Sequence, residues 1–166
     1  VRELWDLYNE KREPLGKTCL RGSEIKTGEY HLVVEIWVID GKGKVLLTRR
    51  HPDKTHPNQW ECTIGAVVAG EDSMTGALRE LEEEIGLPAT AAELRCIGSV
   101  VSKRYILDSY ILTREIAIEE LHLQPSEVTA ARWADYPELC QMHKEGLLVP
   151  AAWARFMRIK DQLICQ

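Results

Sequence analysis

Residues 65–87, GAVVAGEDSMTGALRELEEEIGL, dictate a helix and what that helix must carry. Asp72 or Ser73 supplies the short side-chain oxygen that accepts from unpaired first-turn amides. Met74 to Ile85 reads as helix, and Gly86, with Pro88 just beyond, ends it. At about 100° per residue, Glu80, Glu83 and Glu84 fall on one face. Met74, Leu78, Leu81 and Ile85 fall on another, roughly a third of a turn away. The segment therefore packs through an aliphatic stripe and presents three carboxylates elsewhere, while Glu82 points away as a solvated charge.

Like charges on adjacent turns repel, by a few tenths of a kcal/mol when exposed and by more when partly buried. A divalent cation removes the conflict, and oxygen-only ligands favour a hard ion, Mg²⁺ or Mn²⁺. Mg²⁺ shares its shell readily with waters and substrate phosphates, which suits a diphosphate. A plain acidic helix face is the bland alternative. Arg79 lies four residues before Glu83, within its reach. Gly76 precedes Glu80 by one turn, where a missing side chain either admits a metal or phosphate or is simply tolerated.

Gly65, Glu71, Arg79, Glu80, Leu81, Glu83, Glu84, Gly86 and Leu87 fill every fixed position of a known signature. The stretch resembles the Nudix box of the Nudix hydrolases, with no departure. Spacing alone gives only mixed α and β. The resemblance implies an α/β chain with a Nudix-type α/β/α sandwich around a mixed central β-sheet. It also implies that Glu80, Glu83 and Glu84 bind the metal, with Glu80 a ligand or base. A backbone carbonyl at Gly65 or its neighbour adds a ligand, and Glu71 is a candidate for an outer ion. Arg79 is implied to orient the glutamates and, with Glu71, to steady the preceding loop. The expected cofactor is Mg²⁺ or Mn²⁺, and the expected reaction is water attack on a nucleoside diphosphate linked to another moiety. The expected partner is a small-molecule diphosphate, nucleotide-derived, and a homodimer stays open.

The 166 residues suffice for one domain with a real core. The expectation is a single domain over 1–166, with residues 1–28 a β-hairpin extension and 65–87 the box. The formal net charge of −5 argues against a general nucleic-acid binder. It leaves room for an anionic substrate, because a metal and local arginines reverse the sign inside a site. No apolar run reaches the length of a membrane span, and no secretion-type N-terminal segment is present. Cys19, Cys62, Cys96, Cys140 and Cys165 are odd in number and lack metal-ligand spacing. They read as reduced thiols of a cytoplasmic protein.

Glu3 to Tyr8 and Leu15 to Arg21 read as the arms of a hairpin around a charged turn. His31 to Ile39 is a β-branched strand, joined through Asp40-Gly-Lys-Gly to Lys44–Arg50. After a polar loop, Trp60 to Val68 reads as one strand. Leu94 to Lys103 and Arg104 to Ile118 form a second hairpin region, and Val128 to Ala134 a late strand. Tyr136 to His143 and Pro150 to Cys165 read as helices.

WDLYNEKREPLG, GEYHLVVEIWVIDGKGKVLLTRR and the Lys54, Pro57, Trp60 spacing resemble the Nudix branch related to isopentenyl-diphosphate isomerase. That enzyme carries a catalytic cysteine where this chain has Gly65, and Cys62 is three positions away. Of its metal-binding histidines His31 alone is matched, with Glu24 in its partner's place. Isomerase chemistry and a non-catalytic nucleotide sensor are therefore the alternatives to hydrolysis. Glu127 is a candidate general base or a solvated loop charge. Arg49 and Arg50 are candidates to bind phosphate, but adjacent strand residues face opposite ways, so one of them at most enters the site. Trp37, Trp60 and Tyr105 are stacking candidates or packing residues.

Overall fold

The computed structural model describes residues 3–164; Cys165 lies outside them. Among the described residues nine strands run in chain order: β1 (Leu4–Tyr8), β2 (Pro14–Leu20), β3 (His31–Ile39), β4 (Val45–Arg50), β5 (Trp60–Glu61), β6 (Thr63–Ala66), β7 (Leu94–Val101), β8 (Tyr105–Thr113) and β9 (Val128–Ala134). Three α-helices join them: α1 (Ser73–Ile85), α2 (Tyr136–Lys144) and α3 (Pro150–Ile164).

β3 is the axis of a mixed sheet. Its run of aliphatic residues is almost continuously buried, as befits a strand covered on both faces. It pairs in parallel with β8 from His31↔Tyr105 to Ile39↔Thr113, and antiparallel with β6 over Val33–Ile36. β7 extends the sheet beyond β8. The expected β3–β4 hairpin exists only at its neck, where Ile39 faces Val45. Asp40 accepts from the Lys42 and Lys44 amides there, and the strands then part. β4 pairs instead with β5 and β9.

The parting of β3 and β4 corrects the expectation of one strand over Trp60–Val68. The chain leaves the edge of β4 at Glu61, turns at buried Cys62, and joins the edge of β3 at Thr63. Alternation alone does not reveal that one apolar run serves two partners.

Leu32, Val34, Ile36 and Val38 face Ala77, Leu81 and Ile85 of α1. Trp37 and Ile39 face Phe156, Ile159 and Leu163 of α3, with Leu139 and Met142 of α2 alongside. Helices thus cover both faces of the sheet. β1 and β2 form a separate two-stranded hairpin, fastened by backbone bonds between Tyr8 and Tyr30 and from the Ala69 amide to the Leu4 carbonyl. No helix among the described residues is long and apolar enough to cross a membrane.

Candidate active site

α1 starts where Asp72 accepts from the Thr75 amide at 2.7 Å. It stops at Gly86, whose φ of 67° is the left-handed conformation of a helix cap. Between these caps, burial of Leu81 and Ile85 sets the rotation of the helix. Each such side chain contributes about 2 kcal/mol. That rotation aims Glu80, Glu83 and Glu84 at one cavity of roughly 300 Å³, walled also by Ile64, Gly65 and Ala66 of β6. Gly65 leaves room for the Glu80 carboxylate: a Cβ there would run into it and push that side chain out of its present position. Gly76 answers a packing need instead, because a Cβ there would lie 2.9 Å from a Val67 methyl. Neither metal nor phosphate access accounts for it.

Arg79 is the hub. Its Nε donates to Glu71 at 2.9 Å, and its Nη1 donates to Glu80 at 2.8 Å and Glu83 at 3.0 Å. Its Nη2 donates to the Ala66 carbonyl at 2.9 Å. One guanidinium therefore ties the helix to β6 and to the loop between them. Burial works to lower its pKa, but the bonds to Glu71 and Glu80 and the charge of Glu80 outweigh burial and hold it raised.

The three glutamates occupy different surroundings. Glu83 is half exposed. Burial raises the pKa of Glu80 against the opposing pull of Arg79. Glu84 is 8 % exposed. Burial lifts its pKa to about 8, with the charges of Glu61 and Glu80 adding to the rise. Two donors work against that rise, the Thr48 hydroxyl at 2.9 Å and the Ile64 amide.

As they stand, no three His, Cys, Asp or Glu side chains among the described residues converge on one point. Arg79 draws Glu80 and Glu83 to itself while Thr48 draws Glu84. The donor set still fits a hard divalent ion, since it is all oxygen and lines one cavity. Its most buried member, Glu84, is a carboxylate that makes no ion pair among the described residues. Glu71 does not line this cavity; Arg79 and the Val68 amide engage its carboxylate.

Arg50 lines the cavity, while Arg49 faces away to bond Thr129 and lie 5.9 Å over the Trp60 ring. Arg50 is paired with Glu61. Glu127 also lines the cavity, in an ion pair with Lys54, which is itself a wall residue. Trp37 is core. Cys62 is sealed beneath α3 beside Glu35, and burial pushes its thiol far up. Sequence reasoning missed Glu3, Arg21 and Gln124 as wall residues, and Thr48 as the partner of Glu84. Strand alternation carried the signal for Thr48, which shares a face with Arg50. Arg21 and Glu3 come from the hairpin, and no local pattern reports where a hairpin docks.

The family model for the NUDIX domain matches residues 29–154. An uncharacterized Nudix hydrolase of Listeria monocytogenes is 35 % identical over 150 residues, covering 89 % of each chain. An isopentenyl-diphosphate Delta-isomerase of Saccharopolyspora erythraea is 27 % identical over 90 % of this chain and 80 % of its own. Among solved structures, a Deinococcus radiodurans protein superposes with a TM-score of 0.79 at 22 % identity, over 94 % of this chain and 98 % of that one. The NUDIX domain of NrtR from Shewanella oneidensis, complexed with ADP ribose, gives 0.64 at 16 % identity, over 86 % and 92 %.

Proposed function

The chain belongs to the Nudix hydrolase family, and from that premise we propose that it is a divalent-metal-dependent pyrophosphohydrolase cleaving a nucleoside diphosphate linked to another moiety. The observation that carries this reading is the cavity where Glu80, Glu83 and Glu84 of α1 meet Gly65 of β6 beneath Arg21, Arg50 and Lys54. The acids and the Gly65 carbonyl would hold Mg²⁺ or Mn²⁺. Such an ion supplies charge withdrawal from the phosphoryl oxygens and lowers the pKa of a bound water. The cationic residues face the same space and suit phosphate oxygens. Arg79 orients Glu80 and Glu83. Glu127 stands across the cavity as a carboxylate able to take the water's proton. Most of the acceleration then comes from positioning and charge neutralisation. The ADP-ribose complex of the Shewanella domain supports a nucleotide-derived substrate.

Isomerase chemistry is the weaker reading. Gly65 offers no thiol, and Cys62 sits under α3, on the other face of the sheet from the acids. A sensor role has no lost carboxylate to favour it. The deciding experiment is a phosphate-release screen of the purified protein against a diphosphate panel with Mg²⁺ and with Mn²⁺. Cleavage at a P–O–P bridge is expected. Turnover of isopentenyl diphosphate by double-bond migration alone, or nucleotide binding without product, would overturn the reading.

A further inference from the structure

A second cavity, of roughly 690 Å³, opens beside the first, and none of the roles above uses it. Its walls include Trp5 of β1, Gly22 and Ser23 after β2, His31 of β3, and the Lys103–Tyr105 approach to β8. The Trp5 and His31 rings stack 4.1 Å apart at 9°, and Tyr105 meets His31 edge-on at 6.2 Å. His31 is neutral here, because burial lowers its pKa to about 4. The indole is therefore backed on one of its faces by an uncharged ring. Lys103 and Arg104 are exposed on the rim, and among the described residues neither makes an ion pair.

The two cavities are linked through the β1–β2 hairpin, although no residue lines both. Trp5 Nε1 donates to Glu3 at 2.9 Å, and Arg21 donates to the other Glu3 oxygen at 2.7 Å. Glu3 and Arg21 line the acidic cavity, while Trp5 and Gly22, the latter next to Arg21, line the second. An aromatic shelf with free cations at its rim complements a neutral planar ring joined to a negatively charged group. We propose that this second cavity is the ring-binding subsite of the enzyme and seats the base of a nucleotide substrate against Trp5, with Lys103 and Arg104 attracting its phosphate. The proposal rests on the pyrophosphohydrolase reading for its substrate class.

Calorimetric titration of the Mg²⁺-loaded protein with AMP, adenosine and inorganic pyrophosphate separates ring from charge. Trp5→Leu should weaken AMP and adenosine alike, by about tenfold, the usual scale of base stacking on an aromatic side chain. The Lys103→Ala, Arg104→Ala double variant should weaken AMP several-fold and leave adenosine unchanged. Pyrophosphate affinity should survive Trp5→Leu. The rim variant lies outside the packed core, so it decides the matter if Trp5→Leu fails to fold. No AMP binding to the wild type would overturn the subsite. So would wild-type AMP affinity in the folded variants, or equal losses for AMP and pyrophosphate in Trp5→Leu. If AMP binds in a Trp5-dependent way but no diphosphate is cleaved, the hydrolase reading fails and the ring site stands. If cleavage is intact and the variants are silent, only the subsite fails.

Discussion

Glu83 and Glu84 are neighbours on one helix yet occupy different media. Glu83 reaches solvent, whereas Glu84 is buried with a hydroxyl and an amide as its donors. Replacing Glu84 by Gln keeps its shape and removes the charge an ion would need. Turnover should fall on the order of 10²–10³-fold with the thermal midpoint retained; steady-state kinetics beside a melting curve checks both. Thr48 is 1 % exposed and acts on Glu84 through one hydrogen bond. Thr48→Val preserves volume but not the donor. Such outer partners of metal ligands are usually worth about 10–100-fold in metal affinity. Mn²⁺ titration followed by electron paramagnetic resonance should show a loss of that size, with Thr48→Ser restoring affinity. The acids themselves are legible in the sequence because helical spacing alone brings them together. Alternation puts Thr48 on the Arg50 face, but its bond to Glu84 is hidden, because that contact spans 36 positions of chain.

Among elements, α1 is the most fully written into local sequence: acceptor at its start, left-handed glycine at its end, aliphatic stripe between. Gly86 carries a second demand that no local rule contains. A Cβ there would stand 2.5 Å from the His122 Cβ and 3.0 Å from its backbone nitrogen. Gly86→Ala should therefore cost about 2 kcal/mol or more, the left-handed penalty plus a clash with backbone. Chemical denaturation checks this, and a silent substitution would show that the loop at His122 yields freely. Strand boundaries are less legible. β9 matches its expected limits because its alternation serves one partner, β4. The single strand expected over Trp60–Val68 divides because the division at Cys62 depends on which neighbour each half finds. For Arg49 and Arg50, alternation says that one at most faces the site, and tertiary structure puts Arg50 on the cavity wall.

For the whole molecule, one sheet separates two cores, and the acidic cavity lies at the edge of the α1 side. The hairpin is the outlying piece, fastened by main-chain bonds and by Arg12, which reaches across to Asp108 of β8. His31 lies under it, 8 % exposed, with its pKa lowered by burial to about 4. An unfolded chain would bind the proton near 6.5. Between those values the unfolded state holds more protons, so stability falls as pH drops from about 6.5 towards 4, and above 6.5 nothing is lost. The loss should be on the order of 2 kcal/mol after allowance for screening. His31→Phe keeps the stack with Trp5 and cannot titrate, so its stability profile over that window should be flatter. Parallel profiles for the two proteins would remove His31 from the account.

Beneath α3, Glu35 of β3 is fully enclosed and accepts from Arg155 at 2.6 Å and from Ser109 at 2.6 Å. A carboxylate stranded without its guanidinium in such surroundings costs several kcal/mol. The final helix therefore works as a keystone. A chain shortened to end before it would leave an orphaned anion in the middle of the sheet. Loss of the tail would then reach the central strand from which the wall of the acidic cavity is hung, even though none of the tail's described residues borders the acids.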